Sequence, residues 1–124
     1  LNIILKLFIK EPRPTNEQKA IEIGVVNGAR ISFDKFGMPS GHAQTCGFCL
    51  AFITLTLNNP FITTLYSVIS TISLFQRYLY RNHTLLQLGV GLAIGIGLGY
   101  LTYLLGNKYI MGIIKMKQND NAPL

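Results

Sequence analysis

Charge is what this sequence has least of: only 13% of its 124 residues are Asp, Glu, Lys or Arg. Soluble domains carry about 25%. The apolar content that fills the gap excludes disorder and disfavours a soluble fold, and the length allows one domain at most. Acids are scarcest, and Glu17, Glu22 and Asp34 offer no paired-carboxylate arrangement; they read as solvated loop charges. Cysteine is limited to Cys46 and Cys49. Cys-x-x-Cys can signal redox work or metal, and with His42 it makes an i, i+4, i+7 series on one helix face that zinc can use. The pair nevertheless lies inside an apolar run, where cysteine packs as a small buried residue, and packing is the reading adopted. Repeats and low-complexity runs are absent. After the apolar residues 1–9 no small-residue cleavage site follows and Lys10-Glu11-Pro12-Arg13-Pro14 comes directly after, so a secretory signal is a poor reading of that opening.

The charge that exists is unevenly placed. Eleven Lys and Arg against five acids give +6, a balance that suits nucleic acid, an anionic membrane surface or a phosphorylated substrate. Between Gly41 and Gln76, and again between Asn82 and Asn107, no charged residue occurs. Basic residues at the ends of apolar blocks flank membrane segments, whereas nucleic-acid domains spread them over a face. Nucleic acid is therefore excluded as a partner, and the bilayer is implied.

Three apolar blocks, residues 43–57, 61–80 and 85–105, predict an all-α, polytopic transmembrane bundle of about three full spans, with residues 1–9 ending a fourth helix. Asn58-Asn59-Pro60 marks a turn. Residues 14–38 are a polar excursion outside the bilayer. A core over residues 1–107 precedes a basic polar tail, 108–124, whose Lys108, Lys115 and Lys117 read as membrane-flanking charges. Since the chain opens on Leu1, further N-terminal helices are expected before it. Two rows of small residues run along the third block, Gly91, Gly95, Gly99 and Gly89, Ala93, Gly97. They suit packing within the bundle, the reading adopted, or a homo-oligomer face.

Counting crossings gathers the chemistry. Two crossings separate His42 from Arg77, so both histidines, Arg13, Arg77 and the Pro39-Ser40-Gly41 turn share one membrane face. Guanidinium forks match phosphate oxygens. Ser40 is a candidate N-cap for the helix after it and Asn82 for the helix at His83, and helix N-termini receive anions. Two helix starts and several cations around two histidines describe a phosphate site, with one histidine as nucleophile and the other as general acid.

These residues carry a resemblance. Lys6 is separated by six residues from Arg13-Pro14, Pro39-Ser40-Gly41-His42 is complete, and Arg77 is separated by five residues from His83. The sequence thus resembles the type 2 phosphatidic acid phosphatase superfamily, whose core is shared with vanadium haloperoxidases. Two positions depart from the pattern: Gln76 replaces Ser, and Gln87 replaces the Asp that orients the nucleophilic His. The strings from Lys10 to Pro14 and from Lys35 to Ser40, with His83-Thr84 and Gln87, look like the dolichyl diphosphatase branch, which also carries Gln there.

The resemblance implies that His83 attacks phosphorus and His42 protonates the leaving oxygen. Gln87 would accept the His83 Nδ1–H, while Lys6, Arg13, Ser40, the Gly41 N–H and Arg77 hold the phosphoryl oxygens. It implies no metal or other cofactor, a polyprenyl (dolichyl) diphosphate substrate, and an endoplasmic reticulum membrane with a lumen-facing site. Two alternatives are a broad lipid-phosphate phosphatase acting on phosphatidic acid and a catalytically impaired scaffold.

Overall fold

The computed structural model describes residues 1–15, 25–26, 29–30 and 35–111. Glu17, Lys19, Glu22, Asp34, Lys115 and Lys117 lie outside the described residues, as does the tail from 112 onward.

Among the described residues four α-helices build the fold: α1 (Asn2–Ile9), α2 (Gly41–Leu57), α3 (Pro60–Leu79) and α4 (Leu85–Leu105). The helical class expected from the sequence describes the bundle. A two-residue ladder, β1 (Val25–Val26) with β2 (Ala29–Arg30), is added within the polar excursion, antiparallel with Val25 opposite Arg30. Strands this short do not stand alone and leave the architecture helical.

Helix ends follow local chemistry. At α2 the Ser40 Oγ accepts the Ala43 N–H at 3.4 Å, and Asn58 closes the helix in the left-handed region at φ 46°. Asn59 then caps α3, its Oδ1 accepting from the N–H groups of Phe61 and Ile62 at 3.0 and 3.3 Å, with Pro60 in the first turn. Asparagine tolerates αL and Pro needs no N–H at that position, so the reversal is written in three residues. The start of α4 corrects an expectation. Its N-cap is Thr84, not Asn82, because Thr84 and Gln87 form a reciprocal capping box.

The main packing pair is α2 on α4. Gly91, Gly95 and Gly99 abut the backbone of Ser40, Gln44 and Phe48, and Gly47 abuts Leu92, so that a Cβ at any of them would collide. The second small row behaves differently, since Gly89 and Gly97 face open space. Asn2 ties α1 to this pair, its Nδ2 donating to the Pro39 carbonyl at 3.2 Å and to Gln44 Oε1 at 2.8 Å.

Burial is inverted relative to a soluble domain. Lys6, Ser40, Asn82, His83 and Gln87 are buried, while Phe8 is 82% exposed and Phe61 75%. Large apolar faces turned outward need a non-aqueous neighbour. By length and composition, one helix among the described residues can cross a membrane, Leu85–Met111. It continues α4 through a π-helical turn, Gly106–Met111, beyond the expected end at 105. The expectation of about three full spans is met by composition in that helix alone. With its 17 residues α2 reaches only about 25 Å, short of a core of about 30 Å, and the Ser and Thr of α3 dilute its apolarity.

Candidate active site

His83 is held at both ring nitrogens. Its Nδ1 lies 3.0 Å from the Gly37 carbonyl oxygen. A carbonyl only accepts, so Nδ1 carries the proton and Nε2 presents a lone pair. Arg13 Nη1 approaches that lone pair at 3.2 Å while donating to the Asn82 carbonyl at 2.9 Å. Burial first, then the positive charges of Arg13 and Lys6, lower the His83 pKa to about 3, against the opposing pull of the Gly37 carbonyl and of Gln87. Near neutral pH the ring is therefore an uncharged imidazole with its nucleophilic nitrogen beside a guanidinium.

His42, in the first turn of α2, meets Arg77 from the last turn of α3, with Nη2 2.7 Å from Nε2. Guanidinium only donates, so His42 Nε2 is also the acceptor and Nδ1 the protonated nitrogen. Lys6 is buried in the last turn of α1. Gly41 opens α2, and its chain neighbour Ser40 is wholly buried, donating its N–H to the Gln87 carbonyl at 3.2 Å. The Ser40 hydroxyl, expected to bind phosphate, serves in this structure as the cap of α2.

Gln87 keeps a hydrogen-bonding interaction with the His83 ring, which raises the ring's pKa, and makes further contacts. Its Oε1 accepts from the Thr84 N–H at 3.2 Å, and its Nε2 donates to Glu11 Oε1 at 2.8 Å and to the Pro12 carbonyl at 2.9 Å. The Gly37 carbonyl accepts the His83 Nδ1–H at 3.0 Å beside it. The capping box shares the amide oxygen of Gln87, so the carbonyl is the second anchor of the ring.

A cavity of about 540 Å³ lies over His83, with Pro14, Arg81 and Leu85 in its wall. It shares Tyr78 and Leu85 with an apolar groove of about 400 Å³ that runs along α3 and α4 past Leu88, Gly89 and Leu92. His42 opens onto another groove, of about 630 Å³, with Asn2, Gly41 and Cys46. Cys46 and Cys49 are free and half-buried.

Sequence reasoning missed Asn2, Glu11, Gly37 and the ordering role of the Asn82 carbonyl. Glu11 and Gly37 lie within the strings that carry the resemblance, but nothing in those strings says which contact each makes. The reciprocal Thr84–Gln87 spacing is a readable capping signal.

A family model described as the PAP2 superfamily matches residues 1–111. The chain is 30% identical over 127 residues to the palmitoyl-protein thioesterase-dolichyl pyrophosphate phosphatase fusion 1 of Schizosaccharomyces pombe, covering 93% of this chain and 18% of that protein. It is 27% identical over 124 residues to the dolichyldiphosphatase of Saccharomyces cerevisiae, covering 92% of this chain and 47% of that protein. The chain thus spans less than half the length of either relative. No solved structure gives a significant match.

Proposed function

The chain belongs to the PAP2 superfamily, and from that premise we propose that it is a membrane lipid-phosphate phosphatase that hydrolyses a polyprenyl diphosphate to the monophosphate and phosphate. The observation that carries this reading is the neutral His83, Nδ1–H held by the Gly37 carbonyl and Nε2 beside Arg13. The dolichyl diphosphatase activity in the names of both relatives supports the substrate class.

In the proposed mechanism Arg13, Lys6 and Arg77 bind the phosphoryl oxygens, aided by the Gly41 N–H at the start of α2. Binding draws Arg13 from the ring onto the substrate and uncovers the Nε2 lone pair. Nε2 attacks the terminal phosphorus, the bond to the bridging oxygen breaks, and His42, which takes up a proton at Nε2 when Arg77 turns from the ring to the substrate, gives that proton to the leaving oxygen and returns to neutral imidazole. The same histidine then takes a proton from water as it attacks the phosphohistidine, which frees phosphate and restores neutral His83. Charge that develops on the equatorial oxygens meets cations that have already turned onto the bound substrate. Gln87 orders the loop around the ring.

The lipid tail is read as lying in the bilayer beside the outward apolar faces, with the headgroup at the cavity over His83. The reading extends to several crossings, to the core–tail division at 107/108, and to an endoplasmic reticulum membrane with the site on the lumenal side. The outward apolar faces of α1 and α3 support the crossings, and Lys108 on the far side of α4 supports the orientation.

Phosphate release by the full-length protein in detergent, with chelator present, tests the proposal on dolichyl diphosphate and phosphatidic acid. Release from the diphosphate that His83→Ala abolishes is the expected result. Equal release by both proteins removes the mechanism. Preference for phosphatidic acid moves the assignment to monoesters, and absence of turnover leaves a scaffold.

A further inference from the structure

Position 87 holds an amide where the family pattern has an acid, and that amide meets a carboxylate 76 residues away. We propose that Glu11 is a positioning residue for His83, and that Glu11 and Gln87 form a matched acid–amide pair in which only one partner can carry charge. The kinetic part rests on the phosphatase reading above.

One link is between side chains, and its donors can be counted. Gln87 is fully buried and uses both amide ends: its Nε2 donates to Glu11 Oε1 and the Pro12 carbonyl, and its Oε1 accepts from the Thr84 N–H, while the side chain also hydrogen-bonds the His83 ring. A carboxylate accepts only. At position 87 it would lose both donations and set negative oxygen against Glu11, and two carboxylates sharing a site cannot both ionise at ordinary cost. The amide at 87 is thus the complement of the acid at 11.

The other link is backbone and runs through Gly37. Glu11 accepts the Gly37 N–H at its carbonyl, at 2.7 Å, and the Gly37 carbonyl holds His83 Nδ1 at 3.0 Å. A Cβ on Gly37 would collide with the Gln87 amide, so the two intermediaries touch. Two features hold Glu11 there. Lys10 turns the chain in the left-handed region at φ 52°, and Pro12 bridges Phe36 in antiparallel register. Among the described residues, Glu11 reaches the ring through Gly37 and Gln87. The other charged and titratable groups around the ring, among the described residues, are Lys6 from α1, Arg13 from the following segment and Arg81 from the turn before α4, with His42 of α2 and Arg77 of α3 paired nearby.

The test exchanges the partners: Gln87→Glu, Glu11→Gln and the double swap, each in the full-length protein in detergent. Neighbouring residues of one network couple by amounts that here mean the following. Gln87→Glu loses about thirtyfold in kcat at pH 7 with KM changed less than about threefold, and regains part of it at lower pH, where a proton on one of the two acids restores a donor between them. Glu11→Gln alone loses about fivefold, and the double swap, again one acid and one amide, returns to within about threefold of the unmodified protein. Nitrogen-15 resonances of the His83 ring give a readout that needs no turnover: Gln87→Glu shifts its titration and the double swap restores it. Losses that multiply in the double swap, or a Gln87→Glu protein unchanged in rate and ring titration, overturn the proposal. If the unmodified protein releases no phosphate, the functional reading falls, and the ring titration alone decides the coupling.

Discussion

Arg77 Nη2 lies 2.7 Å from His42 Nε2, joining the last turn of α3 to the first turn of α2. The contact sets the tautomer of one histidine just as the Gly37 carbonyl sets that of the other. The same guanidinium is read as a phosphate clamp, so it must exchange the ring for substrate as the headgroup arrives.

Arg77→Lys is therefore expected to behave as a loss rather than a conservative change, since an ammonium lacks the planar fork. Phosphate release should fall about a hundredfold in kcat/KM, while thermal unfolding in detergent shifts little. Full activity in the Arg77→Lys protein would separate this guanidinium from the headgroup.

The depressed pKa of His83 has a sign that can be followed. The unfolded ring takes up a proton near pH 6.5, and the folded ring only near about 3. Stability is thus flat above about pH 6.5 and falls as pH drops from there toward about 3, with a slope of about 1.4 kcal/mol per pH unit for one proton. His83→Gln should flatten that part of the curve, measured by urea or thermal unfolding across the range. For the unmodified enzyme, the acid limb of kcat/KM should lie well below about pH 6.

The glycine rows of α4 make a paired experiment. Gly95→Ala drives a methyl into the Gln44 backbone, whereas Gly97→Ala enters open space. The first should cost about 1–3 kcal/mol, and the second should be neutral or slightly stabilising because alanine is the better helix former. Detergent melting curves of the two proteins side by side check it. Equal midpoints would contradict the α2–α4 packing.

Gly37→Ala puts a methyl against the end of the Gln87 side chain. Three hydrogen bonds hold that amide, so the Gly37 carbonyl is expected to yield in its place. Activity should drop about tenfold or more, with a smaller loss of stability than at Gly95, read from kcat alongside the melting midpoint.

Much of this arrangement is legible in the sequence. Apolar blocks and the Asn58-Asn59-Pro60 turn locate α2, α3 and α4 to within a few residues, because periodic burial and turn chemistry are local properties. Crossing parity brings Arg77 to the side of His42. Two nearby cap candidates, Asn82 and Thr84, are separable only through the reciprocal bond of Gln87, a residue that the family pattern directs to His83. The contact between Glu11 and Gln87 has no local signal at all, since it depends on the loop returning at Pro12 and Phe36. Which glycine row packs is equally illegible, because the two are alike in spacing and differ only in what faces them.

Arg13 reaches the Asn82 carbonyl across 69 residues of chain, and the Gly37 carbonyl reaches the His83 ring across 46. Such long closures form late, after the local helices. During synthesis Lys6, Arg13, the Pro39 turn and His42 emerge before His83, so on the proposed mechanism the groups that hold phosphate precede the group that attacks it. On that reading a chain stopped before His83 would bind phosphate without turning it over, and the arrival of His83 would arm the site.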